Sequence, residues 1–568
     1  MKSLKFKIIS GIALLVCFNV SVNAQNLSWT QALQTVSEES VGFMNNSITE
    51  DNEGNILISG TYNAELSFGG FTLQPVDGVF IRMFLTKISG SGEVLWLKTF
   101  DVPQLGINTF QKPVFDNNGN FYLVFNPYLG SGDFDWDLGN GVVVPVGSTL
   151  NQAVIVCFNP EGVAQYFKAI QTEDSEILVN LKVNSINDSL FVSGTFSGNL
   201  TIGDIEVQSN NGSMDIFVAK TDLELNPSWL VSINGTRDYQ SHEATIDDLG
   251  NIIIALSFEG DSLFSGNYFV YNPDFDFTPF VGNSDIAVIK LNPQGETQWM
   301  TRIASSELDN PNKLFATADN GILMSSNSSG TLNVAGVTIE PELNAIIKLN
   351  SAGSPEYAFS LEGYGINSAA RDEDGFIYLG YQFTVPSFTL GNINVVNTGM
   401  DNGTSDLAII KMDESGEIYW IERIGSIDNE SVNSVKVLNS GKMVVAGTFS
   451  GTEFMLGNLM LENDFAPVNN GFVAYADLPA GLNNIVESAS VLIYPNPTSD
   501  YLMLNTDLSG NSELAYSIYN STGQLIKNNV ELKTLPASIS IHELSTGNYF
   551  ISVRSDTYQK TVPFTVLR

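Results

Sequence analysis

Cysteine, histidine and positive charge are all scarce in this sequence. Its 568 residues include two cysteines, two histidines and 25 Lys and Arg residues, against 62 Asp and Glu residues. The histidines, His242 and His542, are too few for a histidine-rich metal site. The net charge of −37 repels phosphate backbones, so we expect no nucleic acid partner. We interpret the excess of acidic residues as a source of solubility outside the cell.

Long apolar runs are missing as well, except near the N-terminus. Residues 1–24 have a basic start, the apolar run Ile8–Phe18 and the small-residue end Val22-Asn23-Ala24, which is the pattern of a secretory signal peptide. The run is too short to span a bilayer and no second candidate follows, so we expect no transmembrane segment in the mature chain. Because Cys17 falls within this segment, only Cys157 would remain, and we interpret it as a buried, small apolar side chain without a disulfide.

The most prominent feature that is present is a repeat. In seven places an aromatic residue is followed four positions later by an apolar one: Trp29/Leu33, Trp96/Phe100, Tyr166/Ile170, Trp229/Ile233, Trp299/Ile303, Tyr357/Leu361 and Trp420/Ile424. A spacing of four along a strand puts both side chains on one face, so we expect both to enter a core between sheets. The aromatic residues lie 58 to 70 residues apart, and this regular spacing indicates a repeat architecture.

Each repeat combines the same four predicted strands. The first ends in a tight polar turn such as 51–55 (DNEGN), and the second follows at once, as in 56–62 (ILISGTY). A long connection then leads to a third strand such as 345–348 (AIIK), and the aromatic strand comes fourth. Four strands repeated seven times predict an all-β fold, a seven-bladed β-propeller over residues 25–478.

The two ends of the repeat array support a closed ring. The seventh unit has no aromatic strand of its own, whereas Leu27–Leu33 is an aromatic strand with no unit before it. Pairing the two would close the ring and leave no open sheet edge. A repeat solenoid is the alternative, and the missing strand argues against it. In this organisation residues 26–478 resemble bacterial β-propeller repeat proteins.

A small, polar segment at 479–490, which we interpret as a linker, separates the repeats from a different C-terminal region at 491–568. This region contains three motifs in order: Tyr494-Pro495-Asn496-Pro497, Tyr519-Asn520-Ser521-Thr522-Gly523 and Leu544-Ser545-Thr546-Gly547-Asn548-Tyr549. They resemble those of the type A C-terminal sorting domain of the type IX (Por) secretion system. The resemblance implies a small Ig-like β-sandwich that the outer-membrane machinery recognises, and hence a secreted or surface-displayed protein. It also implies a sorting motif, formed by Tyr494, Pro495, Asn496, Pro497, Gly523, Gly547 and Tyr549.

A polar ring emerges when the repeats are aligned on the turn after the first strand. The residues eight positions before Gly54, Gly119, Asp188, Gly250, Gly321, Gly375 and Gly441 are Asn46, Gln111, Asn180, His242, Lys313, Asn367 and Asn433. In a propeller these positions line the mouth of the central channel, on the face that carries the long connections. We therefore predict a ligand site there. The alternative is that these amides bond neighbouring loops and fill the channel mouth.

Two functions fit this site. No hydrolase, metalloprotease or phosphate-loop motif occurs, so we assign no catalytic residue and expect no cofactor or metal. Neutral amides recognise hydroxyl and carbonyl groups but are poor proton donors and acceptors, which favours non-catalytic binding of a glycan or a protein. The alternative is an extracellular polysaccharide hydrolase or lyase that uses loop acids such as Asp276 or Asp401.

Overall fold

The computed structural model describes residues 27–568 with gaps. The residues outside the description are 1–26, 46, 76–81, 100–106, 111, 128–133, 147–150, 173–178, 185–187, 211–212, 237–238, 273–283, 306, 335, 341–343, 362–364, 392, 400–402, 479–490, 507–513, 521–524, 533–535 and 555–558. Every regular element in the described residues is a β-strand, so the predicted all-β class is confirmed. None of them forms a helix with the length and apolarity needed to cross a membrane.

The chain divides into two compact units, Met1–Asp477 and Leu478–Arg568. In the described part of the first unit, antiparallel sheets follow one another along the chain, each with four strand positions; we number them in chain order. Sheet 1 contains Gly42–Phe43 with Thr49–Glu50, Ile56–Tyr62, Arg82–Ile88 and Val94–Thr99; sheet 2 contains Ile107–Phe110 with Val114–Phe115, Phe121–Pro127, Asn151–Phe158 and Ala164–Thr172; sheet 3 contains Val179–Asn184, Ser189–Phe196, Asp215–Thr221 and Pro227–Gly235; sheet 4 contains Tyr239–Ile246, Ile252–Phe258, Asp285–Leu291 and Thr297–Ile303; sheet 5 contains Asp309–Ala316, Ile322–Ser328, Asn344–Leu349 and Pro355–Leu361; sheet 6 contains Gly365–Arg371, Ile377–Phe383, Asp406–Met412 and Ile418–Ile424; and sheet 7 contains Glu430–Val437, Lys442–Phe449, Asn470–Asp477 and Ser28–Val36.

The N-terminal strand completes the last sheet. Ser28–Val36 pairs antiparallel with Asn470–Asp477, and Trp29 lies opposite Ala476. The fourth strand of sheet 7 is therefore supplied from the other end of the unit. This is the position that the missing aromatic strand predicts, and it pairs an edge that would otherwise be open.

The core of the first unit lies between consecutive sheets. Leu57 and Leu85 of sheet 1 share one buried cluster with Phe121 and Phe158 of sheet 2. The second strands are buried on both faces, as Ile252–Phe258 illustrates, so they have continuous apolar runs instead of alternating ones. Sheets 7 and 1 are joined in the same way, because Val444 of sheet 7 belongs to a cluster that contains residues of sheet 1.

Several aromatic residues of the fourth strands are less buried than the sequence predicts, although Trp420, at 6% exposed, is buried as expected. Ile233 is fully buried, but Trp229 is half-buried at the border of the core. Its indole Nε1 donates to the carbonyl oxygen of Pro293 at 3.0 Å, in the third-to-fourth turn of sheet 4. Trp299 does the same with Ser351 of sheet 5, at 2.9 Å. Trp229 and Trp299 therefore each link their own sheet to a turn of the next one, in which a backbone carbonyl accepts the indole N–H.

A short hairpin interrupts the connection between the second and third strands of each sheet. In order from sheet 1 to sheet 7 the hairpin strands are Leu66–Phe68/Phe71–Leu73, Phe134–Asp137/Val143–Val146, Asn199–Ile202/Ile205–Gln208, Ser262–Ser265/Tyr268–Tyr271, Leu332–Val334/Val337–Ile339, Ser387–Leu390/Ile393–Val396 and Glu453–Leu456/Leu459–Glu462. Because neighbouring strands are antiparallel, these hairpins and the starts of the first strands lie at the same edge of the sheets.

The second unit contains two sheets in its described part. One has the order Val491–Tyr494, Tyr501–Thr506, Ala537–Ser540, and the other has the order Leu525–Leu532, Leu514–Asn520, Gly547–Arg554, Gln559–Val566. Both contribute to one core, in which Leu502 and Ile539 from the first sheet pack with Ile518 and Ile551 from the second.

Candidate ligand-binding face

The turn after each first strand is shaped by an aspartate. In sheet 1, Asp51 Oδ1 accepts the backbone N–H groups of Glu53 and Asn55, both at 2.9 Å. Gly54, between them, has a φ of +79°, a conformation that glycine adopts without a steric penalty. Asp116 and Asp247 accept the same two bonds in sheets 2 and 4. This turn fixes the register of the first hairpin and so the position of the predicted ring.

The equivalent turn of sheet 5 corrects one residue of the ring. Asn320, not Gly321, has the positive φ, of +59°, and its N–H closes the turn onto the carbonyl of Thr317 at 3.0 Å. Asparagine is one of the few side chains that adopt this conformation readily. The residue eight positions before Asn320 is Asn312. Lys313 is therefore one position beyond the residue that is equivalent to Asn367 and Asn433.

Three ring residues occupy β-bulges in their first strands. Asn312, Asn367 and Asn433 are each the extra residue between two register pairs, for example Val432 with Gly447 and Ser434 with Ala446. A bulge turns one side chain out of the regular alternation, and bulges often lie beside functional sites. Three consecutive sheets thus each have an amide side chain at the bulge, at the same position of the first strand.

The bulged amides bind other protein groups. Asn367 Nδ2 donates to the carbonyl oxygen of Val432 in sheet 7 at 2.9 Å. Asn433 Nδ2 donates to Asn45 Oδ1 at 2.9 Å, and Asn312 Nδ2 donates to Asn327 Oδ1 at 2.9 Å. These bonds agree with the alternative that the amides join neighbouring segments. Each amide has further donor and acceptor positions, so the ligand site stays a prediction.

The remaining predicted ring residues are described less fully. The backbones of Asn180 and His242 pair with Ser193 and Leu256 in the second strands of their sheets. Asn46 and Gln111 lie outside the described residues, as do the loop acids Asp276 and Asp401.

Lys313 takes part in an ion pair between sheets. Its Nζ is 2.8 Å from Glu243 Oε1 in the first strand of sheet 4, and both side chains are mostly buried. Lys112 and Lys182, in the first-strand regions of sheets 2 and 3, were not predicted as site residues. Lys112 directly follows the ring residue Gln111, and Lys182 lies two positions after the ring residue Asn180, so the alignment passed close to both without selecting them.

An exposed aromatic group on the hairpin of sheet 4 was also missed. It consists of Phe264, Tyr268, Phe269 and Tyr271, and Phe269 and Tyr271 are 54% and 59% exposed. Their ring centroids are 5.1 Å apart in an edge-to-face arrangement. The hairpin is held on two sides, because Phe264 pairs with Asn234 of sheet 3 and Ser265 Oγ lies 2.6 Å from Thr297 Oγ1 of sheet 4. The signal in the sequence is four aromatic residues within 264–271 (FSGNYFVY).

The predicted sorting motif is bound into the second unit at several points. Asn496 Oδ1 accepts the backbone N–H of Thr565 at 2.9 Å, while Tyr494, Pro495 and Pro497 are exposed. Tyr549 lies in the strand that begins at Gly547, stacks on Phe564 with centroids 5.6 Å apart, and donates to the Ser545 carbonyl at 3.0 Å. Gly523 lies outside the described residues.

These features define an all-β, propeller-like protein with an additional C-terminal β-domain. Residues 492–566 match the family described as the secretion system C-terminal sorting domain, so the predicted recognition of this domain is confirmed. The sorting domain implies secretion or attachment at the cell surface, and a link to the type IX machinery.

Comparison with solved structures gives distant similarities. A puromycin hydrolase complexed with PGG is 10% identical, over 84% of this chain and 58% of that one, with a TM-score of 0.40. This chain therefore matches little more than half the length of that hydrolase. The Dos1 propeller is 9% identical, over 79% of this chain and 94% of that one, with a TM-score of 0.37. Comparison with curated protein sequences gave no match.

Proposed function

We propose that the chain is an exported, seven-bladed β-propeller that binds an extracellular glycan or protein without catalysis. In this proposal residues 1–24 are the signal peptide, 25–478 the propeller, 479–490 a linker and 491–568 an Ig-like sorting sandwich. The signal peptide directs export from the cytoplasm, and the sorting domain directs passage through the outer membrane.

The contacts between first strands support the closed, seven-bladed ring. Ser368 Oγ of sheet 6 accepts the backbone N–H of Val435 in sheet 7 at 3.0 Å. Ser434 Oγ of sheet 7 accepts the N–H of Ile48, in the first-strand region of sheet 1, also at 3.0 Å. The same hydroxyl contact thus joins sheet 6 to sheet 7 and sheet 7 to sheet 1. That continuity is what a ring requires and an open solenoid lacks.

The exposed aromatic hairpin of sheet 4 is the observation that carries the binding function, and it favours a glycan. A contiguous group of exposed aromatic rings, unlike a single one, commonly marks a recognition surface. Their negative faces suit the C–H groups of a sugar ring, while the Tyr268 and Tyr271 hydroxyls offer polar contacts at the edge. Because two sheets hold the hairpin, the rings are pre-organised and binding costs less conformational entropy.

A glycan array on the purified protein, run beside a reducing-sugar release assay, tests this proposal. Retention of a glycan with no release of product would support binding, whereas release of product would favour the hydrolase or lyase. A protein ligand would leave the array blank and would contradict the glycan assignment.

Paired variants locate the binding surface. Phe269→Ala and Tyr271→Ala should weaken glycan binding at least tenfold each, because they remove the exposed rings. Phe71→Ala is the matched control, since Phe71 is an exposed aromatic residue on the hairpin of sheet 1, a position of the same kind in another sheet. Equal losses in all three variants, or none, would show that the hairpin of sheet 4 is not the binding surface.

A further inference from the structure

The first-strand regions carry a group of cations, although the chain as a whole is acidic. The group consists of Lys112, Lys182, Lys313, Arg371 and Lys436, from the first-strand regions of sheets 2, 3, 5, 6 and 7. A chain with 62 acidic and 25 basic residues has few cations to place, so five in the first-strand regions of five different sheets are a specific feature.

One ion pair connects the first-strand regions of two sheets that are not consecutive along the chain. Arg371 at the end of the first strand of sheet 6 donates to both carboxylate oxygens of Asp248 in sheet 4, at 3.0 and 2.9 Å. Sheet 5 lies between these two sheets along the chain. A direct contact between sheets 4 and 6 means that the ends of their first strands come close together, at an edge where the Asp248 side chain is still 56% exposed.

The carboxylates near these cations do not match them in number. Arg371 binds Asp248, Lys313 binds Glu243 at 2.8 Å, and Lys436 is 3.8 Å from Glu50. Lys112 and Lys182 have no hydrogen bond or ion pair within the described part of the chain, and both are half-buried. Among the described residues these two lysines therefore have no directly bonded anion, although Glu243 is close enough to Lys182 to act on its charge.

Neighbouring positive charges act on both lysines. Burial, followed by the positive charges of Lys436 and Lys182, lowers the pKa of Lys112 to about 7. Burial lowers the pKa of Lys182 as well; Glu243 partly opposes this effect, and Lys313 adds to it. Cations held close together without counter-ions oppose folding, and an anion placed between them would remove that repulsion.

We infer that Lys112 and Lys182, flanked by Lys313 and Lys436, form a site for an oxyanion inside the ring of first strands. A lysine ammonium is a compact point charge that binds carboxylate, phosphate or sulfate oxygens alike. The inference deepens the proposed function. It rests on that function, because it takes the ligand to enter the ring from the face that carries the hairpins. It adds that this ligand has a negatively charged group, such as the carboxylate of an acidic sugar.

Calorimetric titration of the full mature chain with glucuronate, inorganic phosphate and glucose tests the inference. We expect saturable binding of glucuronate, phosphate or both at one site, and at least tenfold weaker binding of glucose. Glucuronate binding without phosphate binding would identify a carboxylate site, and phosphate binding alone a phosphate site. Absence of saturable binding for both anions would overturn the inference.

Lys112→Gln and Lys182→Gln should each weaken anion binding at least tenfold. Lys442→Gln is the control for charge alone, because Lys442 begins the second strand of sheet 7, its side chain is 41% exposed, and it lies 3.7 Å from Asp477. Equal weakening by Lys442→Gln would show that the overall field, not a built site, attracts the anion. Without ligand, the two site variants should melt at the same temperature as the parent or higher, because they relieve repulsion. A lower melting temperature together with unchanged anion affinity would assign these lysines a structural role and overturn the inference.

The pH dependence of anion binding is an independent test of the site. Anion affinity should rise as the pH falls from about 8 to about 6, since Lys112 gains its proton near its pKa of about 7. The groups that face it are Lys182 and Lys436, with Glu243, Lys313 and Glu50 beyond them. Lys112→Gln should abolish this pH dependence, and its persistence in that variant would contradict the assignment of Lys112.

The glycan array separates the two proposals: glycan binding without anion binding leaves the proposed function intact, whereas anion binding with a blank array leaves only the anion site.

Discussion

Gly295→Ala would test whether the contact between a tryptophan and the next sheet's turn stabilises the repeat array. Gly295 lies in the third-to-fourth turn of sheet 4 with a φ of +84°, and an added Cβ would be 2.8 Å from the indole Cδ2 of Trp229 in sheet 3. The indole cannot move aside freely, because its Nε1 is bonded to the carbonyl of Pro293 at 3.0 Å. The substitution therefore combines backbone strain with a steric clash.

The size of the effect follows from these two parts. An L-residue in the left-handed conformation costs about 1–2 kcal/mol. Overpacking against a held side chain costs about 1–3 kcal/mol more. We expect the free energy of unfolding to fall by about 2–5 kcal/mol, measured by urea unfolding followed by circular dichroism.

Two further variants separate strain from clash. Gly441→Ala has nearly the same φ, of +79°, but no atom lies within 4 Å of its added Cβ. Its free energy of unfolding should therefore fall only by the cost of the backbone strain. In a double-mutant cycle, Trp229→Ala should cancel part of the loss in Gly295→Ala, because it removes the group that the new methyl meets. If Gly295→Ala and Gly441→Ala lose the same free energy, or if the cycle is additive, the proposed link between sheets is refuted.

Three other predictions concern acidity, the ring and export. Burial raises the pKa of Glu430 to about 7, so the native state holds this proton more tightly than the unfolded chain and stability should increase as the pH falls from about 7 to about 5; thermal melts of Glu430→Gln should show less of this rise, and an unchanged profile would contradict the assignment. Asn367→Ala should lower the free energy of unfolding by about 1 kcal/mol, because the Val432 carbonyl loses its donor; urea unfolding measures this, and a loss of ligand affinity with no loss of stability would show instead that the amide is free to bind ligand. Deleting Ser490–Arg568 should keep the protein in the periplasm, as cell fractionation would show, and continued surface display of the truncated chain would rule out sorting by this domain.

The sequence predicts the local organisation of the fold well because that organisation depends on short-range chemistry. The turn at 51–55 can be read directly, since an aspartate that accepts two nearby N–H groups and a glycine with positive φ are both encoded within five residues. The same logic fails by one residue in sheet 5, where Asn320 takes the conformation that the neighbouring glycine was expected to take. Alignment on glycine alone cannot distinguish the two, and that slip moved a ring position from Asn312 to Lys313.

The parts that could not be predicted depend on contacts between sheets. Trp229 is half-buried because its partner is the turn around Pro293, 64 residues later in the chain, and nothing near the tryptophan specifies that contact. The cations could not be predicted for the same reason, since Arg371 and Asp248 are 123 residues apart and meet only when sheets 4 and 6 come together. A motif search scores residues that are close in sequence, and it therefore misses a site assembled from one residue per repeat.

The distribution of stabilising and unpaired groups divides this unit into two regions with different roles. At the edge opposite the hairpins, Lys87 binds Asp51 at 2.8 Å and Lys290 binds Asp247 at 2.7 Å, so buried lysines there are matched by the aspartates that shape the turns. Lys112 and Lys182 in the first strands have no such partner within the described residues. A repeat that supplies a carboxylate to buried lysines in one region could have supplied one in the other, and an unmatched cation lowers stability. Unmatched cations in the first strands, in a unit whose hairpins carry exposed aromatic rings, are the pattern expected when a ligand, not the protein, provides the anion.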